Sequence, residues 1–444
     1  MNKPSFFQER RRARRERGQA TILALGALIF LTVMTLGVFN VQQASHSKQK
    51  VMNAADGGAY AAASTLARDM NYMAYTNRAM VANHVAVGQV VSLVSLTQNL
   101  GQLSRNAATV MRVIGLVPGL QALQGLATAL ERVDNLIDRL PPMMTPFIAF
   151  ETAIIEALSG SQLAVRGLTI VDAKSNVDDV IRANDPHAIW DISVGGALAT
   201  AASLDTFISY SRQRRNNNNQ AYDRFRNVVN DSRDNFTRDR RWLIFRGGSN
   251  MRENNETWTG LDGAEINLFL TRIYLSWGGA ETGTNTWNRG SQSYGGLARR
   301  TANRAFNARQ KMNGGYQGIR PYFDLRSFNR NDDLKESPPI VVAASKRLNR
   351  ASDPKSQLSD TALGTGQADG AFRLPTGRNN AVAVAASQVY FHRPYRSYES
   401  VNDAQHLRNR YYSGGEYANL FSPYWQARLT DVPLAAIGAL QAFD

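Results

Sequence analysis

Residues Ala20–Val41 read ATILALGALIFLTVMTLGVFNV, 22 residues without a charge. As an α-helix this stretch spans roughly 33 Å, about the thickness of a bilayer's hydrocarbon core. Thr21, Thr32, Thr35 and Asn40 are its strongly polar interruptions. A threonine hydroxyl bonds back to a carbonyl of its own helix, so such residues are tolerated in lipid. Immediately before the run, Lys3 and six arginines between Arg10 and Arg17 oppose only Glu9 and Glu16. The positive-inside rule places Met1–Arg17 in the cytoplasm and everything after about Gln42 across the membrane. A cleaved secretory signal would have an apolar region of only about 7–15 residues. The exit Gln42-Gln43-Ala44-Ser45 also lacks a small-x-small cleavage pattern. The expectation is an uncleaved anchor, and the abutting arginines argue against a buried helix of a soluble domain.

The whole chain of 444 residues is long enough for two or three modest domains. It contains no cysteine. That removes disulfides, thiolate metal sites and cysteine nucleophiles together. The net charge of +15 is densest at the N-terminus. Its position beside an apolar run favours an anionic membrane over nucleic acid as partner.

Beyond the anchor, Ser45–Asn106 is rich in Ala, Met and Val. Val51, Ala55, Ala59, Ala62, Leu66, Met70 and Met73 recur at three- and four-residue steps, the helical period. Small residues at such steps also let a second helix approach closely. Pro118 and Pro141-Pro142 bracket a second helix, in which Leu123, Leu126, Leu130, Val133, Ile137 and Leu140 form a short heptad-type seam. The expectation is an antiparallel hairpin against the first helix. Apolar segments Pro146–Leu168 and Ala188–Tyr210 are expected to complete a bundle, and the first of them stays open as a second membrane span.

Ser211–Gly260 changes character, with Arg212-Gln213-Arg214-Arg215, Asn216–Asn219 and many Asp and Arg. It reads as a solvated connector or charged helix. Tyr222, Phe225 and Trp242 among the arginines could stack on bases, but Asp223, Asp231, Asp234 and Asp239 would repel phosphate. After Trp258 glycine and aromatics rise. Ile319–Ser327, Pro339–Leu348, Ala381–His392 and Tyr424–Leu429 read as strands, and Ser352–Arg378 as a long loop.

No catalytic pattern is legible. The histidines at 46, 84, 187, 392 and 406 stand singly, without zinc-binding spacing. No His-Glu-x-x-His, Gly-x-Ser-x-Gly or phosphate-loop pattern occurs. No cofactor or small-molecule substrate is expected. Aromatics interleaved with arginines near the C-terminus, among them Tyr395, Tyr411, Tyr412, Tyr424 and Trp425, suit either a protein interface or a small β-rich core.

Arg17-Gly18-Gln19-Ala20, the apolar run, and then Asn53-Ala54-Ala55-Asp56 followed by Gly57-Gly58-Ala59-Tyr60-Ala61-Ala62-Ala63 resemble the N-terminal module of TadG-like proteins, over about Arg15–Ala63. Ala418–Leu429 is similar to tails of pilus-assembly relatives. The resemblance implies a part in assembling or anchoring a Flp/Tad-type pilus or its secretion machinery, with pilus proteins or pilins as partners. A prepilin-type cut between Gly18 and Gln19, as in a minor pilin or surface adhesin, is the alternative. Leu23 stands where pilins often carry an acidic residue, which speaks against that cut. A membrane-tethered envelope enzyme is the third reading. Many relatives carry a metal-binding Asp-x-Ser-x-Ser; Asp191-Ile192-Ser193-Val194-Gly195 lacks its second serine, so no metal site is carried over.

The expected architecture is α+β. A basic leader (1–18) precedes a single transmembrane helix (19–41), a helical stalk or bundle (42–210) and a polar Asn/Arg-rich connector (211–260). A mixed C-terminal domain with an antiparallel sheet (261–444) follows.

Overall fold

The computed structural model describes residues 6–190, 203–215, 219–268, 271–284, 296–326, 335–347, 380–392 and 418–434. The fold is α+β and is organised on one helix. α1 (Phe6–Ile114) runs for 109 residues, about 160 Å at the standard rise. Up to Ala44 none of its described side chains is buried. From Ser47 onward one face is covered, and Val51, Ala55, Ala59, Ala62, Leu66, Met70 and Met73 are all buried. The three- and four-residue period is therefore a core stripe.

After a turn that includes Gly119 at φ 91°, α2 (Ala122–Ile137) folds back along α1. Ser104 Oγ donates to the Leu130 carbonyl at 2.8 Å, and Arg105 pairs with Asp134 at 2.6 Å. An added Cβ at Gly101 would stand 2.7 Å from the Asp134 carboxylate, which is how closely the helices approach. The hairpin is as expected, but the helix is rotated. Ala127 and Asp134 are buried against α1, whereas Leu126 and Val133 of the expected seam are exposed. Pro141 and Pro142 sit in the first turn of α3 (Leu140–Asn184), where proline's missing N–H is harmless. α3 runs antiparallel to α1 and is tied to it by polar links, including Tyr72 to Ser161 at 2.9 Å and Asn176 to Thr65 at 3.0 Å. Of the fourth apolar segment, β1 (Ile189–Trp190) is a strand and residues 203–210 are helical (α4).

Among the described residues, three sheets lie on this helical frame. One is ordered β1-β9-β10-β11, with β9 Ile340–Arg347, β10 Asn380–Phe391 and β11 Trp425–Thr430. A small sheet pairs β2 (Ser211–Arg214) with β8 (Tyr322–Leu325). Both are antiparallel, and β8 to β11 lie where four apolar runs predicted strands. The third sheet has the order β3-β4-β5-β6-β7, formed by Arg240–Trp242, Phe245–Met251, Thr257–Leu268, Thr271–Gly283 and Gln310–Met312. It is antiparallel except for the last pair.

The polar segment Ser211–Gly260 is not a connector. It contributes β2, α5 (Asn219–Asp231), α6 (Asn235–Arg238), β3, β4 and the start of β5. Tyr222 and Phe225 of α5 are buried rather than stacked outward. Several of its arginines are consumed by ion pairs, such as Arg240 with Asp262 at 2.7 Å and Arg224 with Asp324 at 3.0 Å. Two large apolar cores follow one another along α1. Residues of α1 between Val51 and Met73 pack with the first sheet, and those between Met80 and Val94 with Trp258, Tyr316 and Tyr322. Each core joins the long helix to strands, so the helical frame and the sheets fold as shared units.

Candidate functional site, an apolar helix end and its contact with the body

Residues 20–39 of α1 form an apolar helix with none of its span buried. Ile22, Leu23, Leu28, Phe30 and Leu31 project away from the rest of the chain. Thr32 Oγ1 donates to the Leu28 carbonyl at 2.8 Å, and Thr35 Oγ1 to that of Leu31 at 2.7 Å. These hydroxyls are satisfied within the helix, which removes most of the cost of placing them in hydrocarbon. Among the described residues, two other helical regions are long and apolar enough to span a bilayer, 45–114 and 122–184. The first packs against sheets, and the second lies mainly on α1. The second also turns Gln162 and Arg166 inward, to polar partners on α1 and β2.

The motif residues fall on both sides of this junction. Arg17, Gly18 and Gln19 belong to the helical backbone of α1, and Ala20 is exposed. Of Asn53-Ala54-Ala55-Asp56, the alanines are buried and the two polar residues are exposed. A Cβ at Gly57 would lie 3.0 Å from Asn184, and one at Gly58 3.0 Å from Ile181 and 3.4 Å from Val342. The small residues thus let α1 touch the end of α3 and the first sheet at the point where the chain leaves the apolar helix for the body.

Among the aromatics, Tyr424 is half-buried and packs edge-on against Phe391. Trp425 is 2% exposed. Its indole Nε1–H donates to the Asn419 carbonyl at 3.1 Å. Its backbone N–H donates to Asn71 Oδ1 at 3.0 Å, while its carbonyl accepts from Asn71 Nδ2 at 2.8 Å. Trp425 is therefore a core group docked on α1. Tyr395, Tyr411, Tyr412 and Asp191–Gly195 lie outside the described residues.

The asparagines of α1 carry a role that sequence reasoning missed. Asn71 acts as a strand partner for Trp425. Asn77 Nδ2 donates to the carbonyls of Phe323 and Leu420, at 2.9 and 2.7 Å. Asn99 accepts from Ser276 Oγ at 2.7 Å, and Asn106 Nδ2 donates to the Leu275 carbonyl at 2.6 Å. A buried polar group must be paired, and here the helix satisfies the edges of sheets. The available signal was isolated asparagines in an apolar helix.

Acid–base chemistry finds little footing. His84 is fully buried, with Nδ1 2.6 Å from the Tyr316 hydroxyl, and burial lowers its pKa to about 3. It is a neutral core group. Among the described residues no group of three or more metal-capable side chains comes together. The buried carboxylates Asp69, Asp185, Asp262 and Glu281 each face an Arg or Lys within 2.8 Å, an arrangement that fixes elements in place.

No curated protein and no solved structure matches the chain. Residues 18–65, which take in the apolar helix and the Asn53–Asp56 contact with the body, match the family described as putative Flp pilus-assembly TadE/G-like, and by this N-terminal module the chain is similar to proteins of that family.

Proposed function

We propose that the chain is a membrane-anchored structural component of Flp/Tad-type pilus assembly, acting through helix packing and protein–protein recognition rather than catalysis. The observation that carries this reading is the bare apolar helix at 20–39, continuous with a folded body and lying inside the family match. The arginine-rich leader supports a cytoplasmic N-terminus in a bacterial inner membrane, with the body on the far side. From Val41 to Ile114 the helix would carry that body about 110 Å outward. Pilus or secretion-machinery proteins are the partners this reading calls for. Packing of 45–114 against sheets, and the inward-turned Gln162 and Arg166 of 122–184, support a single span. Processing at Gly18, as in a minor pilin, is the alternative.

Two measurements in the source cell test it. Removing the chain should abolish pilus assembly, and a version lacking residues 1–42 should fail to restore it. Restoration by the truncated chain would reject the anchored role. Intact mass of membrane-extracted protein should be full length, and loss of residues 1–18 would move the reading to a processed pilin.

A further inference from the structure

The junction of α2 and α3 hides a second sequence pattern. Asp138 and Arg139 keep helical backbone angles, Asp138 N–H bonds to Asp134 O at 3.0 Å and Met143 N–H to Arg139 O at 3.4 Å, so the helical course carries across it although Pro141 and Pro142 donate no bond. From Ala122 to Val171, alternating steps of four and three residues land on an apolar residue every time except at Ser161. None of these positions is buried. Leu136, Phe150 and Leu168 are 65%, 61% and 64% exposed. The run is about seven heptads, on the order of 75 Å long. Its average period of 3.5 residues is that of a coiled-coil seam, which asks for a second helix of the same period.

We propose that this seam docks in parallel register against the same seam of a second copy of the chain. The required partner is long, helical and apolar at the same spacing, and the chain itself supplies one. The seam's exposed apolar area is on the order of the ~800 Å² per partner that a standard interface uses. The parallel direction rests on the anchored reading above, because two copies held in one membrane by residues 20–39 must run the same way. α3 is antiparallel to α1, since Arg166 meets Asp69 and Asn176 meets Thr65. The end of the seam near Val171 is therefore the one nearest the anchor. Short of that end, between Ile154 and Leu168, the seam narrows to Ala157, Ser161 and Ala164, beside Gly160 and Gly167, whose added Cβ atoms would meet nothing within 4 Å. Small residues there let two backbones approach closely, as copies with adjacent anchors would need.

The absence of cysteine makes the test clean. Leu136→Cys, Phe150→Cys and Leu168→Cys are introduced singly in the full chain, with Thr128→Cys as an exposed control off the seam. Native membranes are then oxidised mildly and run without reductant. A parallel, in-register pair brings each seam residue against its own copy, so all three should give disulfide-linked dimers and the control none. Phe150→Glu added to Leu136→Cys should abolish the dimer. No dimer at any seam position overturns the proposal, and so does an antiparallel pattern in which Leu136→Cys and Leu168→Cys fail to link to themselves. Dimers from all three variants in a chain that does not hold to membranes would uphold the seam while rejecting the anchor.

Discussion

Truncating Trp258 to alanine should cost about 3–5 kcal/mol of stability, the range for emptying a large aromatic site in a core. Trp258 is fully buried on β5, in the core that α1 shares with Tyr316 and Tyr322. Its ring lies against Gly88 of α1, where an added Cβ would stand 2.7 Å from two ring carbons. Gly88→Ala should therefore destabilise as well, by on the order of 1–3 kcal/mol from overpacking. Against this stands the ~1 kcal/mol that alanine gains over glycine in a helix interior, so the net loss should be at most about 2 kcal/mol. The double variant should cost less than the sum of the singles, because the methyl enters space the ring has vacated. Urea unfolding of the detergent-solubilised chain, followed by circular dichroism, measures all three. An unchanged midpoint for Trp258→Ala would mean that β5 is not seated on α1.

Arg166→Met should cost a similar amount, about 3–5 kcal/mol, because it leaves Asp69 buried without its partner. Arg166 pairs with Asp69 at 2.8 Å, bonds Ser211 Oγ at 2.9 Å, and lies 4.8 Å over the Phe323 ring. One guanidinium thus ties α1, α3 and two strands. Burial raises the Asp69 pKa and lowers that of Arg166, each opposed by attraction to the other. Desolvation therefore outweighs the pairing on both sides. Replacing both, as Asp69→Leu with Arg166→Met, should return most of the loss. The sign with pH follows from the carboxyl. A folded pKa above the ordinary 3.8 means the folded state holds the proton more tightly, so this group favours folding as pH falls toward 3.8. Removing Arg166 takes away the cation that lowers the value and raises it further. The deficit of Arg166→Met relative to wild type should accordingly narrow between neutral pH and about pH 4. A deficit that widens in acid would contradict the burial of Asp69.

Legibility in the sequence followed the side chains that carry a period. The stripe from Val51 to Met73 and the runs that became β8 to β11 have a Cβ at each informative position, and pattern reading found them. β4, β5 and β6 were not found because glycine interrupts their alternation. Two of those glycines are where the sheet presses on the helix: a Cβ at Gly260 would lie 3.2 Å from Val91, and one at Gly278 would run into the backbone of Asn99. The charged segment after Ser211 misled for a different reason. Arginine and aspartate read as solvated when taken singly, yet Arg240 with Asp262 and Arg224 with Asp324 are tertiary pairs whose partners lie 22 and 100 residues away. The α2 seam was only half legible: Leu130 and Ile137 lie on the α1 side as expected, whereas Leu126 and Val133 are exposed. Period alone does not say whether the covering helix lies in the same chain. At the apolar N-terminal end the residues said more. A charge-free run beside clustered arginines has one strong physical solution, and the match over 18–65 covers that stretch.

Partition of the full-length protein under an alkaline wash that strips peripheral proteins bears most directly on the anchor. Residues 20–39 should hold the full chain in the membrane pellet, and deletion of residues 1–42 should send the folded body to the supernatant. A full-length chain that leaves with the wash would contradict the account.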